Sequence, residues 1–156
     1  MKAELFSKDV QEFLRLLAKH DVRYLVIGGT AVVHHGYARF TGDVDFLYDP
    51  QHENAQRLWA ALHEFWAGAV PTLKDAAELE DPSVVVQFGR PPNRIDLIAG
   101  LRTVAFSQAW QNRVREQITV NRSVVPVWII GLAELRQAKR EAGRPKDLDD
   151  LDHLPQ

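Results

Sequence analysis

Between Tyr24 and Tyr48 the sequence reads YLVIGGTAVVHHGYARFTGDVDFLY, and this stretch leaves the chain few choices of fold. An apolar run, Leu25 to Ile27, stops at Gly28 and Gly29, and after thirteen further residues come Asp43 and Asp45, flanked and separated by Val44 and Phe46. The first half predicts a strand, a glycine turn and a short helix from about Thr30 to His35, closed by Gly36. The second half predicts a strand. Side chains alternate across a strand, so Asp43 and Asp45 share one face while Val44 and Phe46 enter a core. Farther on, Ile95, Asp96 and Leu97 repeat the pattern of apolar, acid, apolar, which predicts another strand carrying a third carboxylate to the first two.

Like charges held close together are costly unless a cation lies between them, one is protonated, or water screens them. A lone Asp-x-Asp is equally well explained as the solvated face of a strand. Three converging carboxylates instead suit a hard, oxygen-seeking ion such as Mg²⁺, which is held by carboxylates together with the phosphates of a substrate. Gly28 and Gly29 let the backbone turn sharply and approach a ligand, and free amides at the start of the following helix favour phosphate. Thr30 could cap that helix or offer its hydroxyl to a phosphate oxygen. In the loop Tyr37 to Gly42, Arg39 is equally suited to a structural ion pair with the carboxylates and to a phosphate contact. His34 and His35 are adjacent, so at most one can point toward the site, and packing or surface roles suit them better.

The 156 residues are enough for one domain with a proper core, and we expect a single domain over 1–156. Without cysteine the chain has no disulfide or thiolate chemistry. Its opening, MKAELFSKDV, lacks the apolar centre of a signal peptide, and no run approaches the ~18 apolar residues of a membrane span. A cytoplasmic protein with no membrane contact is expected. The net charge of −2 conceals an uneven distribution: residues 82–146 carry 11 basic and 4 acidic side chains, between acidic flanks. Such a bias is compatible with a surface for nucleic acid or nucleotide phosphates.

Along the chain, Ser7 or Asp9 begins a helix with Val10, Phe13, Leu14 and Leu17 on one stripe. A second stripe joins Ala55, Leu58, Trp59, Leu62, Phe65 and Trp66, whose aromatics read as core. Residues 68–82 read as a loop or small insert at the sheet edge, with a short helix near Lys74 to Leu79. Val84–Phe88 and Arg94–Ile98 form one hairpin, and Val114–Val120 with Val124–Ile130 another, with a helix from Phe106 to Asn112 between the two hairpins. Finally, Leu135, Ala138 and Ala142 mark a helix stopped by Gly143, and Pro145 starts another on which Leu148, Leu151 and Leu154 recur every third residue. The expected architecture is α/β: a short mixed β-sheet flanked by helices, with Asp43, Asp45 and Asp96 along one edge and a C-terminal helical pair.

Ile27-Gly28-Gly29, Asp43-Val44-Asp45-Phe46 and Ile95-Asp96-Leu97 together resemble the signature of the nucleotidyltransferase superfamily, the polymerase-beta-like fold. The ending AKREAGRPKDLDDLDHL, from Ala138 to Leu154, is similar to that of small prokaryotic members grouped with the abortive-infection nucleotidyltransferase toxins. Many members have Gly-Ser where this chain has Gly28-Gly29, so Thr30 or the backbone amides would replace the serine. The resemblance implies transfer of a nucleoside monophosphate from a nucleoside triphosphate to a hydroxyl acceptor, RNA such as tRNA or a protein, with release of pyrophosphate. It implies two Mg²⁺ ions, with Mn²⁺ as a substitute, held by Asp43, Asp45 and Asp96, and nucleotide contacts from Gly28, Gly29, Thr30, Arg39 and Lys139. A toxin with a cognate antitoxin is the implied biological setting. The rival is an inactive regulator or antitoxin-type binding module on the same scaffold, against which the complete acid trio weighs.

Overall fold

A computed structural model describes all 156 residues. The helices α1 (Lys8–Lys19), α2 (Gly28–His34), α3 (His52–Phe65), α4 (Phe106–Gln111), α5 (Leu132–Ala142) and α6 (Pro145–His153) surround six strands. These are β1 (Tyr24–Ile27), β2 (Asp43–Tyr48), β3 (Val85–Phe88), β4 (Arg94–Ile98), β5 (Val114–Val120) and β6 (Ser123–Ile129). They form one mixed sheet in the order β3-β4-β2-β1-β6-β5. The β2/β4 and β1/β6 pairs are parallel, and the other three are antiparallel. No helix is long and apolar enough to cross a membrane.

The local chemistry explains the element ends. Ser7 Oγ accepts a hydrogen bond from Val10 N at 3.2 Å and caps α1. Asn121 and Arg122, both at positive φ, make the two-residue turn that suits the twist of the β5/β6 hairpin. Gly143 takes the left-handed conformation that ends α5, and Pro145 occupies the first turn of α6. One difference concerns Thr30. α2 already begins at Gly28 with Ile27 at its cap position and no side-chain cap, so Thr30 lies inside the helix.

Residues that pair across the sheet share a face. Val26, Phe46 and Leu97 line up on one side, where Phe13 of α1 meets Phe46 edge-on at 5.3 Å. On α3, Ala55, Leu58 and Leu62 are fully buried, while Trp59 and Phe65, and Trp66 just past the helix end, are partly buried against the same core. Asn54, also buried, pins α3 by hydrogen bonds to the backbone of Arg23 and Asp49.

Residues 68–82 are more integral than a loop or edge insert. The 3₁₀ turn Ala76–Glu80 buries Leu79 in the core, and the buried Tyr48 hydroxyl donates to Leu79 O at 2.9 Å. Tyr48→Phe removes the donor and leaves that carbonyl without its partner. It should cost about 1–3 kcal/mol, read as a lower urea midpoint at unchanged slope.

A further difference places the acids. Both β2 and β4 are interior strands, so Asp43, Asp45 and Asp96 lie on the sheet's face near the start of β2 and not along an edge.

Candidate active site

Parallel pairing of β2 with β4 sets Asp43 opposite Arg94 and Asp45 opposite Asp96, while antiparallel pairing of β1 with β2 sets Ile27 opposite Asp45. The Asp-x-Asp of β2 and the Arg-x-Asp of β4 thus form a square of four charged side chains on one face, with the Gly28 turn at its border. Carboxylate oxygens of Asp43, Asp45 and Asp96 all lie within 4.8 Å of one another.

The fourth corner carries a positive charge that was not foreseen. Arg94 Nη2 donates to Asp43 Oδ2 at 2.6 Å and to Asp96 Oδ2 at 3.3 Å. Its Nε lies 3.1 Å from Asp96 Oδ1, within ion-pair range but misaligned, so that both atoms remain buried without a hydrogen-bond partner. The bond to Asp43 holds the Arg94 guanidinium above its ordinary pKa. Gln87 Nε2 adds a weak bond to Asp96 Oδ2 at 3.3 Å.

Asp45 has no ion-pair partner. Burial, then the charges of Asp43 and Asp96 and a hydrogen bond shared with Asp96, push its carboxyl up to about 7, against the opposing charge of Lys146. A carboxylate so placed takes a proton or a cation. Gly28 leaves the space open: it sits at φ +64, and a Cβ there would overlap Asp45 Oδ2 and stand 3.0 Å from Asp45 Cγ. The close oxygens, the partnerless Asp96 Oδ1 and the unneutralised Asp45 fit a hard divalent cation such as Mg²⁺.

Gly29 is packed from above by the loop before β2, since a Cβ there would meet Thr41 Oγ1 at 2.9 Å and Arg39 Nη1 at 3.2 Å. Thr41 Oγ1 donates to Asp43 O at 2.9 Å, fixing the start of the acidic strand. Beside this turn Thr30, Val33, His34, Arg39, Thr41 and Glu116 line part of a cavity of about 220 Å³. His35 Nε2 lies 2.8 Å from Ile130 O and His34 Nδ1 lies 3.8 Å from Glu116 Oε1, and neither ring belongs to the carboxylate cluster.

Arg39 and Lys139 are both engaged with the C-terminal helix. Arg39 grips Asp150 through Nε at 2.7 Å and Nη2 at 2.9 Å. Lys139 Nζ lies 3.2 Å from Asp147 Oδ1 and 2.8 Å from Asp150 Oδ2, and all three of these side chains are buried. Burial works to raise both aspartates' pKa values. Hydrogen bonds from Arg144 and Lys139 to Asp147, and from Arg39 and Lys139 to Asp150, overcome it and hold both below the usual range.

Several cations of the basic segment have partners within the chain. Arg94 serves the acids, Lys139 is buried, Arg113 lies 3.9 Å over Trp110 and 4.6 Å over Trp128, Arg102 pairs with Glu141 and Arg144 with Asp147.

The family of nucleotidyltransferases of unknown function (DUF6036) matches the chain over residues 4–154. No curated protein matches it. Among solved structures, a Thermotoga maritima protein described as a "putative nucleotidyltransferase" aligns with a TM-score of 0.57 at 13% identity, over 97% of this chain and 93% of that one. That identity speaks for a shared fold alone, while the family match runs through the glycine turn, the acid square and the helical pair. The chain belongs to the nucleotidyltransferases.

Proposed function

We propose that the chain is one catalytic domain that transfers a nucleoside monophosphate from a nucleoside triphosphate to a hydroxyl acceptor, with Asp43, Asp45 and Asp96 as its metal-holding acids. The observation that carries this is Asp45: half-buried beside two other carboxylates, lacking an ion pair, and facing the one residue type that leaves room at position 28. Asp43 and Asp45 would hold the ion that meets the triphosphate, and Asp96 would share a second. Mg²⁺ fits this donor set, and Mn²⁺ substitutes. When bound, such ions neutralise the phosphate oxygens and stabilise the attacking and leaving oxygens of an in-line displacement.

The chain's own groups do the rest. The backbone of Gly28 and Gly29 lies against the phosphates, with Thr30 and Arg39 at the border of the turn. Asp96 would orient the acceptor's hydroxyl or take its proton. The acceptor oxygen bonds to the α-phosphorus, the bond from that phosphorus to the bridging oxygen breaks, and pyrophosphate leaves. The similarity of Ala138–Leu154 to abortive-infection toxins favours RNA or protein as the acceptor and a cytoplasmic toxin restrained by an antitoxin as the setting.

Titration calorimetry tests the seat. A nucleoside triphosphate should bind in Mg²⁺ and lose at least tenfold in affinity in EDTA, because phosphate oxygens cannot approach three bare carboxylates. Equal affinity in both buffers would remove the acids from the nucleotide site. Labelled triphosphates incubated with a cell extract would then identify the acceptor by the fraction that retains label.

A further inference from the structure

The loop from Tyr37 to Gly42 has no helix or strand of its own, yet it covers Gly29 and leads directly into Asp43. What holds it is α6. Tyr37 Oη donates to Asp149 Oδ2 at 2.9 Å, and its ring stacks on His153 at 4.2 Å. Two residues on, the bidentate Arg39–Asp150 pair makes a second attachment, with the Asp150 side chain only 1% exposed. Behind Asp150 stands Lys139 of α5, which also binds Asp147; Asp147 in turn accepts from Arg144 N and Nε and closes the first turn of α6. A continuous run of charged contacts therefore leads from α5 through α6 to the loop, and through Thr41 to the backbone of Asp43.

Buried ion pairs of this kind add little stability over well-packed apolar residues, because desolvation offsets the attraction. They do fix geometry, since a guanidinium held in a two-point fork has one orientation. We propose that Lys139, Asp147 and Asp150 form an ionic strut that sets Arg39 and Thr41 over the glycine turn, making Lys139 a positioning residue that acts through Asp150 and does not touch the nucleotide. The resemblance of the C-terminal segment implies a triphosphate contact for Lys139; the geometry points to the platform beneath one. This proposal rests on the nucleotidyl-transfer reading, but its first test does not.

Removing Lys139 alone exposes Asp147 and Asp150 to each other and risks unfolding, so the decisive variants are Asp150→Asn and the charge-balanced pair Lys139→Met with Asp147→Leu, which retains Arg39–Asp150. Hydrogen exchange of the metal-free, nucleotide-free protein reads the strut directly. In Asp150→Asn, amides of residues 37–42 should exchange at least tenfold faster while those of β1 keep the parental rate. Unchanged exchange over residues 37–42 would overturn the proposal, whether or not the parent binds nucleotide. The double variant keeps the Arg39–Asp150 fork but takes away the Lys139 support behind it, so residues 37–42 should exchange severalfold faster than in the parent, though less than in Asp150→Asn. Nucleoside triphosphate affinity in Mg²⁺ should fall only together with that protection. Parental exchange over residues 37–42 would take Lys139 and Asp147 out of the strut and overturn the proposal. A loss of tenfold or more with the loop still protected would make Lys139 a direct ligand and overturn its positioning role. A parent that binds no nucleotide would defeat the transfer reading and leave the exchange result to decide the strut.

Discussion

Asp45→Asn should leave the protein folded, make it more stable at neutral pH without metal, and reduce Mg²⁺-dependent nucleotide transfer by at least a thousandfold. The two halves of this expectation have one cause. Asp45 is half-buried beside Asp43 and Asp96 with no ion-pair partner, so its ionised form is disfavoured, and asparagine keeps the shape while removing the charge. Positioning and electrostatic stabilisation supply nearly all of the catalysis in phosphoryl transfer, so the loss of a metal-ligating charge is severe. A solvated surface aspartate would instead tolerate the change within about half a kcal/mol, with transfer unaffected. A variant that transfers at the parental rate and melts where the parent melts would show that the carboxylate trio is not the centre of the chemistry.

The pH dependence follows with a definite sign. Asp45 has a native value of about 7 against 3.8 in the reference state, so the native protein binds this proton more tightly than the unfolded chain does. The stability linked to that proton is full below about pH 4 and is lost as pH rises through about 7. Each unit of displacement corresponds to about 1.4 kcal/mol, so the advantage of Asp45→Asn in metal-free buffer should be largest above pH 7 and should close toward pH 4. Mg²⁺ affinity of the parent should rise with pH up to about 7 and level off beyond it, because the ion must displace the proton. Denaturation and metal titrations across this range measure both.

How much of this was legible depends on the range of the interactions. The β1-turn-α2-β2 unit could be read because its signals are local: alternation fixes the faces of Asp43 and Asp45, and the glycines mark the turn. Asp96 was legible through the same alternation in Arg94–Ile98. Register across strands has no such signature, so the direct pairing of Asp45 with Asp96 and of Asp43 with Arg94 emerges only from the fold. The last helix forms where Pro145 predicts it, but its buried face was only partly legible. Leu148, Leu151 and Leu154 fit a helical stripe, yet Leu148 is 51% exposed while Asp147 and Asp150, with the same three-residue spacing, are 1% exposed. Leu154 does reach the core, but hydrophobicity could not show the buried aspartates, because the cations that permit their burial are Lys139 on another helix and Arg39, 111 residues before Asp150.

Gly28→Ala should disable the site by a route that stability alone does not explain, and Gly143→Ala supplies the control. Both glycines are left-handed, at φ +64 and +62, so alanine meets a comparable backbone penalty of about 1–2 kcal/mol at each. Their surroundings differ. At Gly143 the nearest atom to an added Cβ is Arg140 O at 3.6 Å, an ordinary contact, whereas at Gly28 the methyl would overlap Asp45 Oδ2 and crowd Asp45 Cγ and Cβ. The Asp45 carboxylate must rotate away, and it has little freedom to do so on a buried central strand packed beside Asp96. We therefore expect Gly143→Ala to melt earlier than the parent but to keep its Mg²⁺ and nucleotide affinities, and Gly28→Ala to lose more stability and at least tenfold in both affinities. Because residues in contact do not contribute independently, combining Gly28→Ala with Asp45→Ala, which deletes the clashing carboxylate, should cost less stability than the sum of the two single changes. A Gly28→Ala protein that matches Gly143→Ala in stability and the parent in metal affinity would mean that position 28 does not shape the carboxylate site.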